Sequence, residues 1–377
     1  MTESPGILLT IVAFVAVIGP LVFVHEMGHY LVGRLFGVKA ETFSIGVGKE
    51  LAHWVDKQGT RWRLAALPIG GYVKFKGDAD GSSQPDARWI ELPPDERAQC
   101  FPAKPLWQRA LIVAAGPAIN FLFAIIILAG FAMVYGQNVT PPVASTVMEG
   151  SAAQKAGIQA GDRIIAIDGK RVERFDQVAQ AVFYRPGEVV HLAVERKGDV
   201  ELMPVRIGVR KEVDRFGNEY RIGLIGIQSP ESELREVSAL EAPAIAVERT
   251  GSIVRMMVST IGQIISGRRS MEELGGPLKI AQISGEQAGR GFEDFIFFMA
   301  LISINLAFIN LLPIPMLDGG HLLFYGIEAI QRKPVSPVVQ EWAFRSGLAL
   351  LLTVMLFVTF NDLSSFGVWK GLSGLIG

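Results

Sequence analysis

Cysteine is nearly missing from this chain: Cys100 is the only one in 377 residues. That excludes an intramolecular disulfide and any thiolate-built metal site, so metal ligands must come from five histidines or from carboxylates. An excess of either charge is missing too. With 36 basic and 37 acidic residues the net charge is −1, which leaves no basic footprint and argues against a nucleic-acid partner. No Lys or Arg precedes Arg34, so the first apolar run lacks the positive leader of a secretory signal and reads as a retained membrane segment. Charged residues make up only 19% of the chain against 50% hydrophobic, and the mean hydropathy is +0.34. This is too apolar for an ordinary soluble protein and too charged for a bare bundle of spans, so a membrane part with a soluble module is expected.

Long apolar sequence is what the chain has instead. Four stretches, roughly 6–33, 108–135, 292–312 and 342–360, have the apolarity and the length, about 20 residues, to cross a bilayer. A fifth, 250–267, contains Arg255 and Gln263 and reads as an amphipathic helix on the membrane surface. Basic residues crowd the 34–107 loop and recur at Arg332 and Lys333, whereas the C-terminal tail has only Lys370. The positive-inside rule then places both basic loops in the cytoplasm, and both termini and the long segment 136–291 outside.

The first apolar run carries His25-Glu26-Met27-Gly28-His29. HExxH sets two imidazoles at i and i+4 on one helix face, where both can bind one zinc ion, with the glutamate placed as general base for a water on the metal. Ionisable groups inside a span are costly and are functional candidates by default. A catalytic zinc needs a third protein ligand. His53 and His191 lie in polar regions, whereas the sequence after the third span offers Asp318 or His321. Spans one and three run in the same direction, so HEMGH and Asp318 lie at similar depth on the cytoplasmic side. Pro313 and Pro315 break the helix there, and broken backbone at membrane depth belongs in a buried or wet setting. Asp318 could equally cap the next helix.

Within 136–230, Ala156-Gly157, Gly161-Asp162 and Asp168-Gly169 follow a helix–turn–strand–turn pattern, with alternating strands near 188–196 and 201–209. This resembles a PDZ domain of the bacterial, circularly permuted kind. Such domains bind peptide ends by strand addition, and Gly223, Leu224, Ile225 and Gly226 are the expected peptide edge, although an ordinary core strand fits the same pattern.

HEMGH in a first span, one PDZ module, and Asn310 to His321 reading NLLPIPMLDGGH after a third span together resemble the site-2 protease family of intramembrane zinc metalloproteases, and within it the regulator-of-sigma-E type. The resemblance implies Zn2+ held by His25, His29 and Asp318, with Glu26 catalytic. It also implies a substrate-holding role for Asn310 near Pro313 and Pro315, and a membrane re-entrant β-loop at Gly46, Val47 and Gly48. Segments 67–74 and 115–121 are family-like as well. The expected fold is an α-helical polytopic membrane protein with a re-entrant β-hairpin region and an inserted extracytoplasmic α+β PDZ domain. Its parts are an N-terminal membrane half at 1–135, the PDZ domain at 136–230, a linker at 231–291, and a C-terminal membrane half at 292–377. Relatives with tandem PDZ domains differ, since 136–230 has room for one.

By that resemblance the chain sits in a bacterial inner membrane with its active site near the cytoplasmic side. Its partners would be the lipid bilayer and transmembrane substrates, either anti-sigma factors trimmed beforehand by another protease or remnant signal peptides. The rival readings are a membrane-anchored PDZ adaptor or chaperone with an inactive metal site, and a metal transporter.

Overall fold

A computed structural model describes residues 6–80, 86–213, 219–267, 271 and 275–365; Lys370, used above for orientation, lies outside them. In chain order the elements begin with α1 (Ile7–Leu35), β1 (Ala40–Val55), β2 (Arg61–Phe75), a short α2 (Pro94–Arg97) and α3 (Leu106–Tyr135). There follow β3 (Gln137–Val139), β4 (Thr146–Val147), α4 (Ala152–Lys155), β5 (Arg163–Ile167), β6 (Lys170–Arg171), α5 (Phe175–Phe183), β7 (Val189–Arg196) and β8 (Asp199–Arg206). Next come β9 (Gly208–Val213), β10 (Glu219–Leu224), β11 (Ile227–Gln228), β12 (Glu233–Arg235) and α6 (Ala242–Ile265). The chain closes with α7 (Pro277–Arg290), α8 (Phe292–Asn310), α9 (Asp318–Gln331) and α10 (Pro337–Ser365).

Two compact units emerge, one from residues 1–128 and 275–362 and the other from 129–274 and 363–377. Stretch 231–291 is thereby divided: α6 belongs to the second unit and α7, which packs chiefly on α1, to the first.

α1, α3, α8 and α10 are long and apolar enough to cross a membrane. Two of these helices have ends that suit the helix dipole: Arg34 lies in the last turn of α1, and Glu293 and Asp294 in the first turn of α8. α1 and α3 cross tightly, since a Cβ on Gly28 would fall 2.4 Å from the Ala115 carbonyl oxygen. Beside them lies the β1–β2 sheet. Its 42–45 stretch has partners on both sides: Thr42 pairs with Lys74 and Arg61, and Ile45 with Gly71 and Leu64. Gly46 and Gly48, at φ +87 and +92, make the bend that permits this. Phe43 is fully buried and stacks on Trp62 at 4.4 Å, in a core with Tyr30, Val73, Phe75, Phe101 and Ile112.

In the second unit a four-stranded sheet runs β6-β5-β7-β8. Alternation in β7 turns Val190, Leu192 and Val194 inward, onto Ile164, Val178, Val182 and Val205. Two-residue turns join β5 to β6 at Asp168-Gly169 and β7 to β8 at Lys197-Gly198, each with both φ positive, as the twist of a tight hairpin demands.

Candidate metal centre

Helix α1 brings His25 and His29 to one face, as i,i+4 spacing requires, with their Nε2 atoms 3.3 Å apart. The third corner comes from the loop after α8. That loop turns at Pro313 and Pro315, passes Met316 at φ +84, and enters α9 at Asp318. It folds back so closely that a Cβ on Gly319 would lie 2.3 Å from the carbonyl oxygens of Leu311 and Leu312, and one on Gly347 equally near that of Pro315. Glycines at these points let the loop close and fix where α9 starts. Asp318 Oδ2 consequently stands 3.2 Å from His25 Nε2 and 3.5 Å from His29 Nε2.

These three edges suit one small cation. Zinc bonds of about 2.0–2.2 Å to nitrogen and oxygen at tetrahedral angles imply ligand–ligand separations of roughly 3.3–3.5 Å. The donor set agrees. Asp318 Oδ2 is buried and without a hydrogen-bond partner, and three groups that bind metals through lone pairs point at one another. No other group of three or more such residues occurs among the described residues.

Glu26 projects into the same cavity of about 310 Å³, whose wall includes Val73. Asn310 lines that cavity. His321 lines it too but packs at a tilt against Phe344, with ring centroids 5.1 Å apart, and is not part of the three-residue cluster. His53 pairs with Glu50 and His191 with Asp168, away from the cluster.

Gly46, Val47 and Gly48 are not among the residues that line this cavity. They form the bend, where Val47 pairs with Leu67 and a Cβ on Gly46 would meet the Leu67 carbonyl oxygen at 2.6 Å. The returning part of β2 places Gly70, Gly71, Tyr72 and Val73 on the cavity wall. It does so because β2 runs on without a break to Phe75.

In the second unit, Gly223 and Leu224 pair with Val209 and Gly208. Ile225 is buried in the core, Gly226 turns at φ +77, and their carbonyls accept from Ala153 and Met148.

The profile of peptidase family M50 matches residues 13–354. A protein of Agrobacterium fabrum, provisionally named a zinc metalloprotease, is 44% identical over 360 residues, covering 94% of this chain and 96% of its own. The metalloprotease MmpA of Caulobacter vibrioides is 33% identical over 395 residues, covering 98% and 99%. Among solved structures, the PDZ domain of an SdrC-like protein from Listeria innocua matches 26% of this chain at 21% identity, with a TM-score of 0.19, too low to carry an argument. The fold and site are those of a zinc-dependent, multi-pass membrane metalloendopeptidase. The chain belongs to peptidase family M50, the site-2 proteases.

Proposed function

We propose that the chain hydrolyses a peptide bond within, or at the edge of, the transmembrane helix of a single-span membrane protein. The observation that carries this reading is the cluster His25–His29–Asp318 with Glu26 in one cavity, on and between helices apolar enough to span a bilayer. His25, His29 and Asp318 are the ligands. Zinc, when bound there, supplies a Lewis acid for the scissile carbonyl and a nucleophilic water. Glu26 takes the proton of that water and delivers it to the leaving amine.

A helical substrate hides its carbonyls in its own hydrogen bonds and must unwind to be cut. The edge of β2 at Gly70–Val73 lies on the cavity wall, where an unwound segment can add as a strand and satisfy its backbone groups. Gly71 is essential to that wall, since a Cβ there would lie 2.7 Å from the Ser44 carbonyl oxygen and 3.1 Å from Glu26 Cγ. Gly46 and Gly48 act by bending the sheet, and Asn310 orients the substrate from the opposite wall, above the turn at Pro313 and Pro315.

The substrate class is anti-sigma-factor-type proteins already trimmed by another protease, or remnant signal peptides, processed in regulated intramembrane proteolysis. In this reading the protein lies in a bacterial inner membrane, its termini and the 136–230 module are periplasmic, and the metal centre is near the cytoplasmic side. The 136–230 module acts as a PDZ domain that receives trimmed ends near Gly223–Gly226.

Purified full-length protein with zinc should cleave a helical membrane substrate in detergent or vesicles, and Glu26→Gln should not. Equal cleavage by the variant, or none by the zinc-loaded wild type on substrates of both classes, would contradict the proposal.

A further inference from the structure

The three facing atoms impose a condition on each imidazole. To offer a lone pair at Nε2, a histidine must carry its ring proton on Nδ1, and a fixed acceptor at Nδ1 is what keeps it there. His29 has one, for its Nδ1 lies 2.9 Å from the Ile112 carbonyl oxygen, which can only accept. His25 has a different neighbour. Its Nδ1 lies 3.3 Å from the side-chain amide of Asn120, with the nitrogen of that amide placed nearer. An NH2 donating to Nδ1 would put the ring proton on Nε2, aim it at Asp318, and shut His25 out of a metal shell.

That same orientation leaves Asn120 Oδ1 buried and without a partner. The two ends of an amide have nearly the same shape, and the surrounding network decides which way it points. Turning the amide exchanges a bare oxygen for a bare NH2, so counting hydrogen bonds does not choose between the two. The tautomer that His25 needs does choose.

We infer that Asn120 is a positioning residue of the metal centre, its side-chain oxygen accepting from His25 Nδ1–H and so leaving Nε2 open to zinc. The inference rests on His25 being a ligand, as proposed above. Asn120 is fully buried on α3, and its backbone carbonyl accepts from the Ser303 hydroxyl of α8 at 2.8 Å, which pins the residue where it stands. Gly116 lies four residues earlier, on the same helix face. A Cβ there would fall 2.3 Å from His29 Nε2 and 2.9 Å from His25 Cε1. α3 thus supports both rings, making room at Gly116 and supplying an acceptor at Asn120.

The test is the zinc affinity of detergent-solubilised full-length protein, measured by competition with a chromogenic chelator, with thermal unfolding of the metal-free form recorded alongside. Asn120→Leu keeps the volume and removes the acceptor, and should bind zinc about 10–100-fold more weakly. Asn120→Asp keeps an acceptor at the same place and should bind as tightly as wild type or more so. Wild-type affinity in Asn120→Leu, or an equal loss in both variants, overturns the inference. If metal-free Asn120→Leu fails to unfold cooperatively, Asn120→Asp decides alone, retained affinity supporting the role and lost affinity overturning it. His25→Ala separates the two levels. If it keeps wild-type affinity, the ligand reading fails; if it loses zinc while Asn120→Leu keeps it, only the role of Asn120 fails.

Discussion

The two units bury polar groups in opposite ways. In the second unit the core is aliphatic, built from residues such as Ile164, Val190 and Leu192. Its deeply buried carboxylate, Asp162, is fully answered: Arg196 reaches both oxygens at 2.6 and 2.8 Å, and the Gln159 N–H adds a third bond. In the first unit His25, Glu26, His29 and Asn120 are buried together among apolar helices, and Asp318 Oδ2 lacks a hydrogen-bond partner. Burying polar groups without partners costs several kcal/mol, so such a cluster persists only where something else answers it. A cation does. The comparison teaches where to look for chemistry in this molecule: at polar groups whose needs the protein itself does not meet.

The sharpest break between the units should come from Glu26→Gln. Cleavage of a helical membrane substrate is expected to fall by at least ~10²–10⁴-fold, while zinc bound per chain, measured by atomic absorption, stays at the wild-type level. Next is the third ligand. Asp318→Ala should weaken zinc binding by more than the ~10–100-fold typical of losing a ligand's hydrogen-bond partner, and His321→Ala should leave it intact; the reverse outcome in a chelator competition would reassign the site. Gly116→Ala forces a methyl onto His29 and should lower zinc affinity by roughly tenfold or more, because ligand geometry tolerates only about 0.5 Å of displacement.

Changes in the second unit should leave the metal untouched. Leu192→Ala opens a cavity in its core and is expected to cost about 2–5 kcal/mol, seen as faster limited proteolysis within 136–230 at unchanged zinc affinity. The smallest effect concerns pH. Arg196 holds the Asp162 carboxyl below the usual range. A depressed carboxylate contributes stability above its unfolded pKa of about 3.9 and loses it as pH falls through the folded value. Acid unfolding of the second unit should therefore set in at higher pH in Arg196→Met than in wild type.

Much of this was legible in the sequence, for physical reasons that differ by residue. HEMGH is visible because i,i+4 spacing alone fixes two imidazoles on one face. Asp318 is reachable because two spans running in the same direction must present their C-terminal ends at one depth. The four spans are visible because bilayer thickness sets their length. Asn120 is not visible as a partner of His25, because one amide in an apolar helix has no periodicity that points to a neighbour on another helix. Gly70–Val73 escapes for another reason: a strand that bends back onto its own sheet has the same local pattern as two separate strands. α7 carries only a weak amphipathic signal within 231–291, and its packing on α1 is a tertiary fact.

The most direct test of the central claim, that His25, His29 and Asp318 hold the metal, is zinc-edge X-ray absorption on the zinc-loaded full chain. The account predicts a first shell of nitrogen and oxygen only, at about 2.0–2.2 Å, with the outer-shell scattering of two imidazoles. A sulfur shell near ~2.3 Å, which only Cys100 or a methionine could supply, or the signature of three imidazoles, would contradict it.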